Sequence, residues 1–178
     1  MSDAVVLPGR LYGPGAPLPM YAGDVAELRG AKVHRHSWTQ PPPEQFGPEL
    51  ETWVQGEATP LLDSVGGRPL VIAKSLGTLA AALVAERSLP AVWLTPLLTV
   101  DSVVAALDRA TAPYLLVGGT ADPSWDSAMA HRLSPHVFEV DGADHGMYVP
   151  GPLVGSVEVL GRVVVAVEEF LDSMGWPA

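Results

Sequence analysis

The stretch that decides the fold reads LVIAKSLGTLAAALVAE and runs from Leu70 to Glu86. Its first four residues are apolar without alternation, as in a strand that is covered on both faces of a parallel sheet. The residues from Thr78 onward favour a helix by their composition. Ser75 stands between the two, with an alanine two positions before it and a glycine two positions after it. This spacing permits a sharp turn from strand to helix, in which a residue with a strained backbone presents its side chain at the edge of the sheet.

The same pattern, an apolar run followed by a helix-like stretch, recurs along the chain. The apolar runs predict six strands, at residues 4–7, 32–36, 70–73, 91–94, 114–117 and 136–140. Helices are predicted at residues 17–30, 48–64, 76–88, 100–110, 125–133 and 154–173. In the last helix, residues at steps of three and four form an apolar stripe that we expect to face the sheet: Val157, Leu160, Val164, Val167 and Leu171. The alternation predicts an α/β fold with an open, mostly parallel sheet of about six strands and helices on both faces.

Composition and charge limit the classes of protein that the chain can represent. With 178 residues the chain has room for a single domain, 1–178, around one core. Hydrophobic residues make up 48% and charged residues 17%, which is a globular composition. The formal net charge is −10 and the basic residues are scattered, so nucleic acid and anionic membrane surfaces are disfavoured as partners.

Cysteine usage and the distribution of apolar residues bear on location. Cysteine is absent, which excludes a thiol nucleophile, disulfides and zinc-thiolate sites. The first residues, Met1 to Ala4, have no basic segment, and no apolar run reaches the ~18 residues of a membrane helix. We therefore expect a cytoplasmic protein. The low charged fraction leaves surface for a subunit contact, which is compatible with a homodimer.

Three polar residues each follow a different predicted strand. Ser75 follows the third strand, Asp122 the fifth and His145 the sixth. Taken singly, the serine and the aspartate could each cap a helix, and the histidine could be a surface residue. The carboxyl ends of parallel strands share one edge of the sheet, which is where ligands bind. Serine, aspartate and histidine in this order, each just beyond its own strand, form the pattern of a catalytic triad on such a sheet.

The motifs around these residues resemble those of the α/β-hydrolase superfamily, and the resemblance covers nearly the whole chain. The matching pieces are Ala73–Gly77 at the nucleophile turn, Gly119–Asp122 at the acid turn and Gly142–Gly146 at the histidine loop. A fourth piece, Leu7–Tyr12, lies where these enzymes usually carry His-Gly in the oxyanion loop, with Pro8 in place of the histidine. The layout is similar to small members without a lid, including dienelactone-hydrolase-like and short esterase-like proteins, since a helix fills most of residues 95–113.

The resemblance implies a serine hydrolase that cleaves a carboxylic ester, thioester or related acyl bond in a small-molecule substrate. Ser75 would attack the carbonyl carbon, His145 would accept and later return its proton, and Asp122 would orient the imidazole. The backbone N–H groups of Leu76 and Arg10 would hold the oxyanion. This mechanism requires no organic cofactor and no metal.

The sequence also suggests a pocket and leaves alternatives open. An apolar rim of Leu11, Tyr12, Leu97 and Met147 favours an uncharged acyl group. A non-catalytic binding module with this fold is one alternative, and a cofactor-free perhydrolase, isomerase or lyase that uses the same residues is another. Asp101, shortly after the fourth strand, competes with Asp122 as the acid of the triad.

Two further features need an interpretation. Lys74 precedes Ser75 on a strand that should be buried, so its ammonium needs a carboxylate partner or a path to solvent. Adjacent residues of a strand project to opposite sides, and we therefore expect this lysine to point away from the cleft. His34 and His36 have a spacing that can bind a metal, but no third ligand is visible, and we interpret them as sheet or surface residues.

Overall fold

Six parallel strands form one sheet at the centre of the protein. The computed structural model describes residues 2–177. The strands are β1 (Asp3–Leu7), β2 (Lys32–Arg35), β3 (Leu70–Lys74), β4 (Ala91–Leu94), β5 (Tyr114–Gly119) and β6 (Val137–Val140). Their order across the sheet is β2-β1-β3-β4-β5-β6, and every neighbouring pair is parallel. The predicted parallel α/β sheet of six strands is confirmed.

Within residues 2–177, five α-helices lie between successive strands and a sixth follows β6. They are α1 (Pro17–Leu28), α2 (Pro48–Val65), α3 (Ala81–Glu86), α4 (Asp101–Asp108), α5 (Ser127–Leu133) and α6 (Leu153–Ser173). Two short 3₁₀ helices span Gly13–Gly15 and Ser75–Ala80, so the predicted helix after β3 begins with a tighter turn than expected. Among residues 2–177, the helices lack the length and apolar character that crossing a membrane demands.

The sheet separates two apolar layers. Val5, Val71 and Trp93 point to the layer that contains α2, α3 and α4. Their strand neighbours Val6 and Ile72 point to the layer that contains α1 and α6. Because successive residues of a strand face opposite sides, burial on both faces demands the continuous apolar runs seen in the sequence.

The strand order places one crevice at the carboxyl edge of the sheet. The chain passes from β1 to β2 on one side and then returns to β3 on the other side of β1. Such a reversal leaves the loops after the two flanking strands diverging, with a crevice between them. Leu7 and Ala73 are register partners near the ends of β1 and β3, so the loops that follow them flank this crevice.

In the first half of α6, the buried apolar stripe is shifted by one residue toward the N-terminus relative to the predicted stripe. Val159, Val163, Val167 and Leu171 are buried against the sheet, whereas Val157 is 58% exposed. Valines and leucines occupy two adjacent stripes of this helix, and both recur at steps of three and four. Spacing alone therefore does not choose between them; packing against the sheet and α1 does.

Helix α5 begins two residues later than predicted because Asp126 caps it. The carboxylate of Asp126 accepts a hydrogen bond of 2.8 Å from the backbone N–H of Met129. This is the arrangement of an N-cap, which satisfies one of the free N–H groups at the start of a helix.

Tyr114, the first residue of β5, has a buried hydroxyl group. The hydroxyl oxygen lies 2.7 Å from the carbonyl oxygen of Leu133 and 3.0 Å from that of Leu107. The hydroxyl group has one proton and can donate it to either carbonyl oxygen. Burial, reinforced by the charge of Asp108, raises the pKa of Tyr114 to about 12.

We predict a loss of stability at alkaline pH that depends on Tyr114. A tyrosine in the unfolded chain ionises near pH 10 and this one near 12, so the folded chain holds the proton more tightly between these values. The free energy of unfolding should fall by at most about 3 kcal/mol across this window. In Tyr114→Phe that component should be absent, while Tyr148→Phe, which alters an exposed tyrosine, should keep it. Urea unfolding at pH 9 to 12 measures the difference; equal slopes in all three proteins would contradict it.

Candidate active site

Ser75 occupies a strained backbone position directly after β3. Its φ is +49°, in the left-handed region that residues other than glycine rarely adopt. The turn also packs tightly against β1, since a Cβ atom added at Gly77 would lie 2.7 Å from the carbonyl oxygen of Leu7. Only a glycine fits that approach. The strained turn and the close packing together present the side chain of Ser75 above the edge of the sheet.

The hydroxyl group of Ser75 faces the ring of His145. The Oγ atom of Ser75 lies 2.7 Å from Nε2 of His145, and Nδ1 of the same ring lies 2.7 Å from Oδ2 of Asp122. An ionised carboxylate only accepts hydrogen bonds, so we assign the ring proton to Nδ1. Nε2 is then the acceptor of the serine hydroxyl proton. The three residues that the sequence singled out are thus linked in one hydrogen-bonded chain.

Asp122 is held by the turn after β5. Its side chain is fully buried, and its second oxygen, Oδ1, accepts the backbone N–H of Ser124 at 2.8 Å. Because Asp126 caps the following helix, the alternative interpretation of Asp122 as a helix cap is wrong. Asp101 is an exposed residue at the start of α4, and the ring of His145 bonds to Asp122 instead.

Close backbone packing brings the acid turn and the histidine loop together. A Cβ atom at Gly119 would lie 2.2 Å from the carbonyl oxygen of Ala143, and that oxygen accepts the N–H of Ala121 at 3.0 Å. Within the histidine loop, Oδ1 of Asp144 accepts the N–H groups of Gly146 and Tyr148 at 2.8 and 3.0 Å. These bonds fix the backbone on both sides of the histidine.

The loop after β1 lies against the serine turn. A Cβ atom at Gly9 would be 3.6 Å from the Cβ atom of Ser75, so the backbone that leads into Arg10 passes beside the serine. Leu76 is the second residue of the 3₁₀ helix, and the first N–H groups of a helix lack partners within it. The side chain of Arg10 turns elsewhere: Nη1 donates to the carbonyl oxygen of Pro43 at 2.8 Å, and the guanidinium stacks on Phe46.

Comparison with known proteins matches only solved structures. No protein-family model matches the sequence, and no curated protein does. A structure from Xanthomonas campestris pv. campestris, assigned to the α/β superfamily of hydrolases, gives a TM-score of 0.72 at 22% identity over 97% of this chain and 99% of that one. Est1E from Butyrivibrio proteoclasticus with bound ferulic acid gives 0.69 at 13% identity over 97% and 89%. The chain has the α/β-hydrolase fold.

A third structure extends this comparison. A monoacylglycerol lipase from Paleococcus ferrophilus gives a TM-score of 0.60 at 16% identity over 93% of this chain and 97% of that one. In each of the three comparisons the matched region covers most of this chain and most of the other protein. The TM-scores show a shared fold, and the sequence identities are all 22% or lower.

The α/β-hydrolase fold of this chain contains a cavity of about 520 Å³ that reaches Ser75 and His145. Three of the predicted pocket residues, Leu11, Tyr12 and Met147, line it. The fourth predicted residue, Leu97, is not part of this lining. Leu97 follows β4, and β3 separates β4 from β1, whose loop lines the cavity. The side chain of Leu97 is buried in the layer that contains α2, α3 and α4.

The sequence interpretation missed the wall of this cavity that α6 contributes. Leu153, Val157 and Leu160 line the cavity, together with Tyr148 and the start of α1. The three α6 residues are spaced by four and three positions, which places them on one face of the helix. The signal was present in the sequence, because Val157 and Leu160 belong to the stripe that was assigned to the sheet.

Lys74 borders the same cavity, contrary to the expectation that it points away. Its ammonium lies 3.3 Å from Oγ1 of Thr95 and 3.4 Å from the carbonyl oxygen of His145, and it donates to both. Alternation along a strand does not extend to Ser75, because that residue already belongs to the 3₁₀ helix. Burial lowers the pKa of Lys74, and the charges of Asp122 and Asp144 oppose this shift in part.

His34 and His36 form separate pairs with carboxylates. His34 lies 2.8 Å from Asp3, and His36 lies 3.1 Å from Glu57. Over residues 2–177, no three His, Asp or Glu side chains converge in a way that could hold a metal ion.

Replacement of Gly77 by alanine tests the packing of the serine turn. The added Cβ would meet the backbone of Leu7, which cannot move without displacing β1. We expect Gly77→Ala to lower the free energy of unfolding by about 1–3 kcal/mol. Gly161 lies inside α6 with nothing within 4 Å of its Cβ position, so Gly161→Ala should stabilise by about 0.5–1 kcal/mol. Urea unfolding of the two variants should give opposite signs; the same sign would contradict this account.

The partly buried ammonium of Lys74 predicts a second pH dependence. Its pKa lies below the ordinary 10.5, so the unfolded chain binds more protons than the folded chain just below that pH. The free energy of unfolding should therefore rise with pH toward 10.5 relative to that of Lys74→Met. Lys32→Met removes a charge from an exposed side chain and is the matched control. A constant difference between wild type and Lys74→Met would refute the prediction.

Proposed function

We propose that the protein is a serine hydrolase that cleaves a carboxylic ester, thioester or related acyl bond. The observation that carries this proposal is the chain of hydrogen bonds from Ser75 through His145 to the buried Asp122. The strained φ of the serine adds support, because strain of this kind is typical of functional positions. Esterase and lipase names among the proteins that share the fold agree with it.

The first half of the reaction acylates Ser75. His145 removes the hydroxyl proton through Nε2 as Oγ attacks the carbonyl carbon, and the imidazolium that forms is stabilised by Asp122. The backbone N–H groups of Leu76 and Arg10 donate to the oxyanion. Collapse of the tetrahedral intermediate breaks the bond to the alcohol or thiol, which leaves with the proton from Nε2.

The second half of the reaction returns the enzyme to its first state. A water molecule gives a proton to Nε2 of His145 and attacks the acyl carbon. The second tetrahedral intermediate breaks the bond to Oγ of Ser75, and the proton on Nε2 returns to that oxygen. The carboxylic acid is released, and every group of the triad regains its starting protonation.

Covalent labelling with a fluorophosphonate probe tests this function. The wild type should be labelled, and Ser75→Ala should not. Hydrolysis of an activated ester should fall by about 10³-fold or more in Ser75→Ala and by a comparable factor in Asp122→Asn, which disturbs the histidine tautomer. Ser64→Ala is the matched control, since Ser64 is exposed on α2 and donates only to a carbonyl of its own helix.

Two outcomes would overturn the proposal. A correctly folded wild type that takes no label would favour a non-catalytic binding module. Labelling and turnover of substrate without an acyl-enzyme in intact mass spectra would favour a lyase or isomerase. A far-ultraviolet circular dichroism spectrum shows whether each variant is folded.

A further inference from the structure

The cavity beside Ser75 is walled almost entirely by apolar side chains. The first turns of α6 contribute Leu153, Val157 and Leu160, and the start of α1 contributes Pro17 and Leu18. No Asp or Glu lines it. A protein with a net charge of −10 therefore keeps its acidic side chains away from this one concave surface. Such a lining binds apolar groups by removing their surface from water.

Each of the two cationic residues of the lining donates to an oxygen atom of the protein. The ammonium of Lys74 donates to Thr95 and to the carbonyl of His145. The guanidinium of Arg10 donates to Pro43 through Nη1 and stacks on Phe46, and its Nη2 atom is buried without a hydrogen-bond partner. The α6 part of the lining, Leu153, Val157 and Leu160, carries no cation. A carboxylate placed against this wall would lose its hydration without gaining an ion pair there, which is unfavourable.

The mouth of the cavity carries exposed apolar residues on both sides. Leu11 and Tyr12 come from the loop after β1, and Tyr148 and Leu153 come from the histidine loop and the start of α6. Tyr12 is 86% exposed. A cluster of this kind that continues into a cavity marks a surface that a ligand covers.

The α6 wall sets a length for the bound group. Leu153 and Leu160 are seven residues apart, which is ~10 Å along a helix. Carbon–carbon bonds of ~1.5 Å at tetrahedral angles advance an extended chain by about 1.25 Å each, so about eight carbons span that wall. The acyl part of a substrate stays attached to Ser75 through both half-reactions, whereas the alcohol must leave. The α6 wall beside Ser75 therefore suits the acyl part.

We infer that the site takes esters of uncharged, straight-chain acyl groups of about eight carbons. The inference rests on the proposed function and names its substrate class. The chain lies between α1 and α6 with its carbonyl carbon at Ser75, and the exposed rim covers its outer carbons. Apolar contact supplies the selectivity, and no charged group of the substrate is recognised.

A series of p-nitrophenyl esters from acetate to myristate tests the length and the polarity. The value of kcat/KM should rise about fourfold per added methylene up to about eight carbons and then level off or fall. The p-nitrophenyl half-ester of succinate should react more slowly than the butyrate ester of equal chain length. A flat or falling series, or preference for the succinate, would overturn the inference. So would a stronger dependence on alcohol length in a matching series of acetate esters.

Two valines of α6 provide matched variants for the same test. Val157 lines the cavity and is 58% exposed, whereas Val154 is 61% exposed and does not line it. Val157→Asn should lower the ratio of kcat/KM for the octanoate ester to kcat/KM for the acetate ester about five- to tenfold. Val154→Asn should leave this ratio unchanged. Equal effects of the two substitutions would show that the α6 wall does not contact the acyl group.

Fluorophosphonate labelling separates the two possible failures. A protein that is labelled at Ser75 but shows no dependence on acyl length keeps the proposed function and loses the substrate class. A folded protein that is not labelled loses the proposed function, and the substrate class with it.

Discussion

The close approach of Gly77 to the carbonyl oxygen of Leu7 is the contact on which the rest of the site depends. It holds the turn after β3 against the end of β1, and the neighbouring Ser75 is thereby kept at a positive φ. Strain at a single residue persists only where the surrounding packing over-determines the backbone. Here the two central strands of the sheet supply that packing. The loop after β1 lies beside the same turn, with Gly9 next to Ser75.

The charges of Asp122 and Lys74 beside the cavity compensate one another in part. Asp122 has no exposed side-chain surface, and its two oxygens accept from His145 and Ser124. The Lys74 ammonium lies nearby, and its hydrogen-bond partners are neutral oxygens. A lone buried charge is costly, and opposite charges in the same region reduce that cost. The lysine also donates to the backbone of His145, which adds a third element to the support of the histidine loop.

The separation of polar and apolar surface follows from the same architecture. Ser75, Asp122 and His145 lie beyond the ends of β3, β5 and β6, where backbone groups and short polar loops meet. The apolar wall comes from the first turns of α6, where Leu153, Val157 and Leu160 line the cavity. Val163 and Val167, farther along the same helix, fill the core. One amphipathic helix thus serves both the core and the cavity.

The sequence by itself determined the six strands, the parallel sheet and the order in which Ser75, Asp122 and His145 follow their strands. These are local properties, since continuous apolar runs and the residues just after them are read directly from the chain. Only the tertiary structure decided which stripe of α6 faces the sheet, that Leu97 is a core residue, and that Lys74 borders the cavity. Each of these depends on which elements pack together across long separations in sequence. Periodicity defines the faces of an element, but its neighbours in space decide what each face contacts.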